Sequence, residues 1–139
     1  MDREKEIREA IRAADYAITK LQTAGDYLRS ARNWGIVDIL GGGLLSTYIK
    51  RRKMDEASQC MLDARRALAQ FRDELDDVDT RFSLSVDQAE SELWRFADYF
   101  FDGFIADFAA QDRIARAWNQ VDDAIAKVTL IRDELKRMA

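Results

Sequence analysis

Residues seven apart repeat their character along most of this chain, and that repeat restricts it to helices packed along their length. Ile7, Ala14, Leu21 and Leu28 form one row and Ala10, Ala17, Ala24 and Ala31 the next. On a helix the two rows lie side by side as one apolar stripe, which Ile11 and Ile18 widen. Alanine at every position of the second row lets a neighbouring helix approach closely. The spacing returns in Met54, Met61, Leu68 and Leu75 with Ala57, Ala64, Phe71 and Val78, and again in Ile114, Val121, Val128 and Leu135 with Ala117, Ala124 and Ile131. There is no proline, and six glycines in 139 residues are too few for a sheet with many turns. The class is all-α.

The periodicity predicts a first helix from about Asp2 to Arg32 or Asn33 and a second from near Leu44 to near Thr80. Ser85 followed by Gln88 fits a capping box, and the row Val86, Leu93, Phe96, Phe100 begins directly after it. From Leu93 onward this third helix also carries Trp94, Tyr99, Phe101, Phe104, Ile105 and Phe108, apolar around well over half its circumference. A turn is expected near Ala109 to Arg113, with Asp112 as N-cap, because four helices of roughly 25 to 35 residues match in length. They close an antiparallel up-down four-helix bundle. Neither Gly nor Pro punctuates that stretch and the heptad register runs through it, so the alternative is a three-helix bundle whose third helix has ~54 residues and spans ~80 Å. Its exposed seam would require a dimer. In both cases residues 1–139 make a single coiled-coil-like helical-bundle domain.

The net charge of -4, with a pI near 4.9, argues against general nucleic-acid binding, which needs a basic face to release counterions from phosphates. The single cysteine, Cys60, forms no intrachain disulfide, so nothing marks an oxidising compartment and a cytoplasmic location is expected. The opening residues MDREKEIREA mix both charge signs and lack the apolar core of a secretory signal; no run of ~18 apolar residues predicts a membrane-spanning helix.

One stretch departs from the helical pattern. Residues 33–45, NWGIVDILGGGLL, are apolar, aromatic and rich in glycine where a short polar connection is expected. In an up-down bundle this segment shares a pole with the aromatic end of the third helix and with Trp118. Its Trp34, Ile36, Val37, Ile39 and Leu40 are then expected to pack against Phe100, Phe101, Phe104 and Phe108 as a folded cap. Gly41, Gly42 and Gly43 before a helix start, with Ser46, Thr47 and the run Lys50, Arg51, Arg52, Lys53, also suggest an anion site. The spacing is not that of a nucleotide-binding loop. The basic run opposes the dipole of its own helix, as does the acidic run Asp73, Glu74, Asp76, Asp77, Asp79 at the other end. Antiparallel neighbours supply the complementary helix ends.

The chain has no histidine, which removes Ser-His-Asp and Cys-His nucleophile systems and the Glu-x-x-His motif of di-iron bundles. Cys60 precedes the seam residue Met61, the position of a buried structural thiol rather than a nucleophile. No catalytic residue, metal or cofactor is expected. An all-carboxylate group of Asp38, Asp98, Asp102 and Asp107 is an ordinary product of charged helix faces; Asp38, inside an apolar segment, would need a buried partner.

With NWGIVDILGGGLLSTYIK and ADYFFDGFIADF both in view, the chain resembles a family of uncharacterised bacterial helical proteins in which an N-W-G, D, G-G-G block and an A-D-Y-F-F-D block recur in one domain. The resemblance singles out Asn33, Trp34, Gly35, Asp38, Gly41, Gly42, Gly43, Lys50, Ala97, Asp98, Tyr99, Phe100, Phe101 and Asp102. It implies a helical fold and no particular reaction.

The leading expectation is therefore a non-enzymatic interaction or scaffolding bundle with a protein partner or a second copy of itself. Candidate binding residues are Asn33, Trp34, Asp38, Gly41, Gly42, Gly43, Lys50, Asp98, Tyr99 and Asp102. A second is a membrane-surface protein using 33–45 as an apolar hairpin beside the basic run. A third is a small-ligand or carboxylate-metal site at the aromatic pole.

Overall fold

The computed structural model describes the backbone of residues 2–40, 44–78, 84–106 and 111–139, and the side chains of 3–29, 55–56, 58–78, 86–99 and 117–139. Four helices follow one another: α1 (Asp2–Leu40), α2 (Leu44–Asp76), α3 (Leu84–Ala106) and α4 (Gln111–Met138). The described residues contain no strand. α1 packs along both α2 and α4, and α3 completes the four-helix bundle against α4 and, over a shorter stretch, α2.

The direction of packing is visible in the pairs that cross each interface. Asp15 meets Arg132 and Arg29 lies over Trp118, so α4 descends as α1 rises. Glu9 approaches Glu74 and Tyr27 approaches Glu56, which makes α2 antiparallel to α1 as well. The seams found in the sequence are the core: Ile7, Ala10, Ala14, Ala17, Leu21, Ala24 and Leu28 of α1 are at most 1% exposed. Facing them are the larger Met61, Leu68 and Phe71 of α2 and Val121, Val128, Ile131 and Leu135 of α4, all fully buried. Small residues on one helix leave room for large ones on its neighbours, the arrangement by which a protein interior becomes close-packed.

Several boundaries differ from those expected. α1 does not stop at Arg32 or Asn33 but continues to Leu40. Asn33 to Leu40 contains no proline and a single glycine, a cost of about 1 kcal/mol that a long helix absorbs, so its unusual composition did not mark a break. α2 ends at Asp76 rather than near Thr80. There the Val78 N–H donates to the Leu75 carbonyl at 3.1 Å, a tight terminal turn that still buries Val78. α3 begins at Leu84, so Ser85 stands inside the helix rather than at its N-cap, a shift of the size by which helix ends fray. α3 and α4 are separate helices, which excludes the single third helix of ~54 residues at ~1.5 Å per residue. α4 begins at Gln111, which places Asp112 within it instead of at its N-cap. Thr80 and Ala109 lie outside the described residues, as do the side chains of Phe100, Phe101, Phe104 and Phe108, so the packing expected at that pole falls outside them too.

Gly25 sits inside α1, where glycine weakens a helix. A β-carbon there would stand 3.6 Å from Val121 Cγ1 and 3.9 Å from Trp118 Cδ1, ordinary van der Waals distances. Gly25→Ala should raise stability by about 0.5–1 kcal/mol in urea unfolding. Phe71→Ala, which empties a fully buried ring position, should lower it by about 3–5 kcal/mol in the same assay.

Candidate functional site

Between α1 and α2 the surface sinks into an open groove of about 380 Å³ lined by Glu9, Arg12, Ala13, Tyr16, Gln70 and Glu74. Residues three and four apart on each helix supply its walls, because these positions share one helical face. Buried Ala13 forms the floor and is too small to fill it. Tyr16 is the aromatic wall. Its side chain is 51% exposed, and the Lys20 ammonium lies 5.4 Å from the ring centroid, the geometry of a cation–π contact.

The end of the groove nearest the α1 N-terminus is crowded with like charge. Carboxylate oxygens of Glu6, Glu9 and Glu74 all lie within 4.8 Å of one another, and the Lys5 ammonium reaches Glu9 at 3.9 Å. The acidic end of α2 does lie beside the start of α1, as the sequence suggested, but there it meets carboxylates as well as a helix terminus. Burial is the main effect that pushes the Glu74 carboxyl above the ordinary glutamate range, followed by the charges of Glu9, Asp77, Glu6 and Asp73. Clusters of this kind are common on charged helix faces and do not by themselves make a cation site.

Farther along the same interface the Tyr27 hydroxyl donates to Glu56 Oε2 at 3.5 Å. The Glu56 charge, then burial and the Cys60 side chain, raise the phenol above its usual value. Cys60 is half-buried rather than fully enclosed. Burial pushes its thiol up, as do Asp63 and Glu56, while Lys20 pulls it down, leaving a net rise. A protonated thiol is a poor nucleophile.

Of the candidate binding residues named from sequence, Asp98 and Tyr99 have described side chains, and they do not converge on a pocket. The Asp98 carboxylate pairs with Arg72 of α2 at 3.6 Å. The Arg72 guanidinium also lies over the Trp94 ring, 5.3 Å from its centroid, and Trp94 Nε1–H donates to Glu90 Oε1 at 3.1 Å. Asp98 thus belongs to a clasp between α2 and α3. Tyr99 beside it is 74% exposed. The side chains of Asn33, Trp34 and Asp38 in α1, Lys50 in α2 and Asp102 in α3 lie outside the described residues, as do Gly41, Gly42 and Gly43. The groove itself escaped the sequence reading. Glu6 and Glu9 are visibly three apart, but nothing local reports that Glu74 comes to rest against them.

Comparison with protein-family models, with curated proteins and with solved structures finds no match.

A carboxyl whose value is raised on folding binds its proton more tightly in the folded chain. Stability therefore falls as pH rises from the ordinary glutamate value, about 4.3, through the raised one. Glu74→Gln should raise the melting temperature at pH 7. That gain should shrink as the pH is lowered through the acid range. A lower melting temperature for the variant at pH 7 would show that the carboxylate is held favourably.

Proposed function

We propose that this chain is a non-enzymatic helical-bundle interaction module whose working face is the α1–α2 groove around Tyr16. The observation that carries this reading is the half-exposed Tyr16 ring standing over a shallow, alanine-floored groove between two long helices. Tyrosine offers a partner a large apolar body with a polar tip at little conformational cost, which is why it is enriched where proteins meet. The polar walls, Glu9, Arg12, Gln70 and Glu74, give such a contact a direction. The raised Cys60 and Tyr27 values favour binding over nucleophilic chemistry. The partner is another protein or a second copy of the chain, in the cytoplasm.

Immobilised chain should recover a specific partner, or elute as a dimer in light scattering, and Tyr16→Ala should abolish either interaction. Because Tyr16 is half exposed, the variant should melt within a few degrees of the parent. A strictly monomeric chain with no partner sensitive to Tyr16 would end this reading.

A further inference from the structure

The groove between α1 and α2 changes its chemistry along its length. Glu9 and Tyr16 are seven residues apart on α1, which separates the two ends by ~10 Å at about 1.5 Å per residue. At one end carboxylate oxygens of Glu6, Glu9 and Glu74 stand within 4.8 Å of one another. At the other the Tyr16 ring is half exposed. Ala13 between them is an apolar floor, and Gln70 of α2 adds an amide. An occupant that satisfies the whole groove has a cationic head, an apolar stem and a face to lay against an aromatic ring. A basic side chain has that form.

The charges around the groove are unbalanced. Asp73 and Asp77 join Glu6 and Glu9 in acting on Glu74. Against them stand Lys5, which pairs with Glu9 at 3.9 Å, and Arg12. Among the described residues Arg12 is exposed and makes no ion pair, so the groove's own guanidinium does not neutralise the cluster. Like charges held this close work against stability, and groups kept at such a cost are characteristic of binding sites. Elsewhere the chain bridges an aromatic ring and a carboxylate with arginine: Arg72 lies 5.3 Å from the Trp94 centroid and 3.6 Å from Asp98. The groove holds the same two kinds of group, Tyr16 and the glutamates, with no arginine across them among the described residues.

We infer that the α1–α2 groove receives an arginine side chain carried by a partner protein, its stem on Ala13 and Tyr16 and its guanidinium at Glu9 and Glu74. This rests on the groove being the working face of the chain. The planar fork of N–H donors reaches carboxylates on two helices at once and stacks on an aromatic ring, which the compact ammonium of lysine does less well. Sites for free small molecules enclose most of the ligand. This groove is open, so the cation is one whose protein brings flanking surface to cover it. A second copy of the chain, at net charge -4, would approach against its own charge.

The test is fluorescence anisotropy of the full chain with a labelled, end-blocked alanine–glutamine helix bearing arginine at every fourth position. Matched helices carry lysine or citrulline, the neutral isostere of arginine, at the same positions. The arginine helix should bind at least about tenfold more tightly than the citrulline helix and about threefold more tightly than the lysine helix. Glu9→Gln/Glu74→Gln and Tyr16→Ala should each weaken its binding about tenfold or more. Asp87→Asn/Asp122→Asn, an equal change of charge on α3 and α4, should leave it within about twofold. Because Glu74→Gln is expected to raise the melting temperature at pH 7, lost binding in a more stable variant marks a ligand site rather than a damaged fold. No binding of the arginine helix, equal binding of either matched helix, or an equal loss in the Asp87 and Asp122 variant overturns the inference. So does a Tyr16-dependent partner or dimer indifferent to Glu9→Gln/Glu74→Gln, an outcome that leaves the groove standing as the working face.

Discussion

Every other element is arranged around the burial of α1 on two sides at once. Its seam alternates Ile or Leu with Ala and is almost completely enclosed from Ile7 to Leu28. Alanine is the residue that makes this feasible. It has the highest helix propensity and no rotamer freedom to lose, and its small size lets the large side chains of α2 and α4 reach across the interface. The hydrophobic gain comes mainly from those neighbours, through Phe71, Met61, Leu68, Ile131 and Leu135. α1 contributes the shape that lets them be buried together.

α3 depends on fewer and more specific contacts. The Phe71 and Trp94 rings meet at 5.8 Å with a tilt of 58°, an arrangement aromatic pairs favour. Arg72 closes over Trp94 and extends to Asp98, while Lys127 of α4 reaches Glu92 at 3.0 Å. These ion pairs are exposed on at least one side, and such pairs are worth about 0–1 kcal/mol each. They select which helices stand beside which, and packing supplies the stability. The same limit applies to Arg132 and Asp15, which pair at 3.0 Å across α1 and α4.

Seven-residue spacing was a reliable guide to the core because a helix converts sequence separation into angle without reference to the rest of the molecule. Ile7, Leu21, Met61, Phe71, Val121 and Leu135 could be placed in the interior on that basis, and they are there. Helix ends were less legible. Composition suggested a loop at Asn33, whereas the backbone hydrogen-bond pattern, which any residue but proline can join, continues to Leu40. Of the candidate site, Asp98 could be recognised as a charge in an aromatic block, but its engagement by Arg72 depends on how α2 and α3 pack. The groove was illegible for the same reason, since its walls come from residues more than fifty positions apart in the chain.

By itself the sequence determined the all-helical class, the identity of the seam residues and the segregation of basic residues into one stretch. All three follow from local rules: backbone propensity, periodicity and charge count. Tertiary structure decided which carboxylates crowd together at Glu74, which cation caps Trp94 and where α1 stops. Those outcomes depend on distances between helices. Such distances are set when all the side chains pack simultaneously, and no local stretch of sequence contains them.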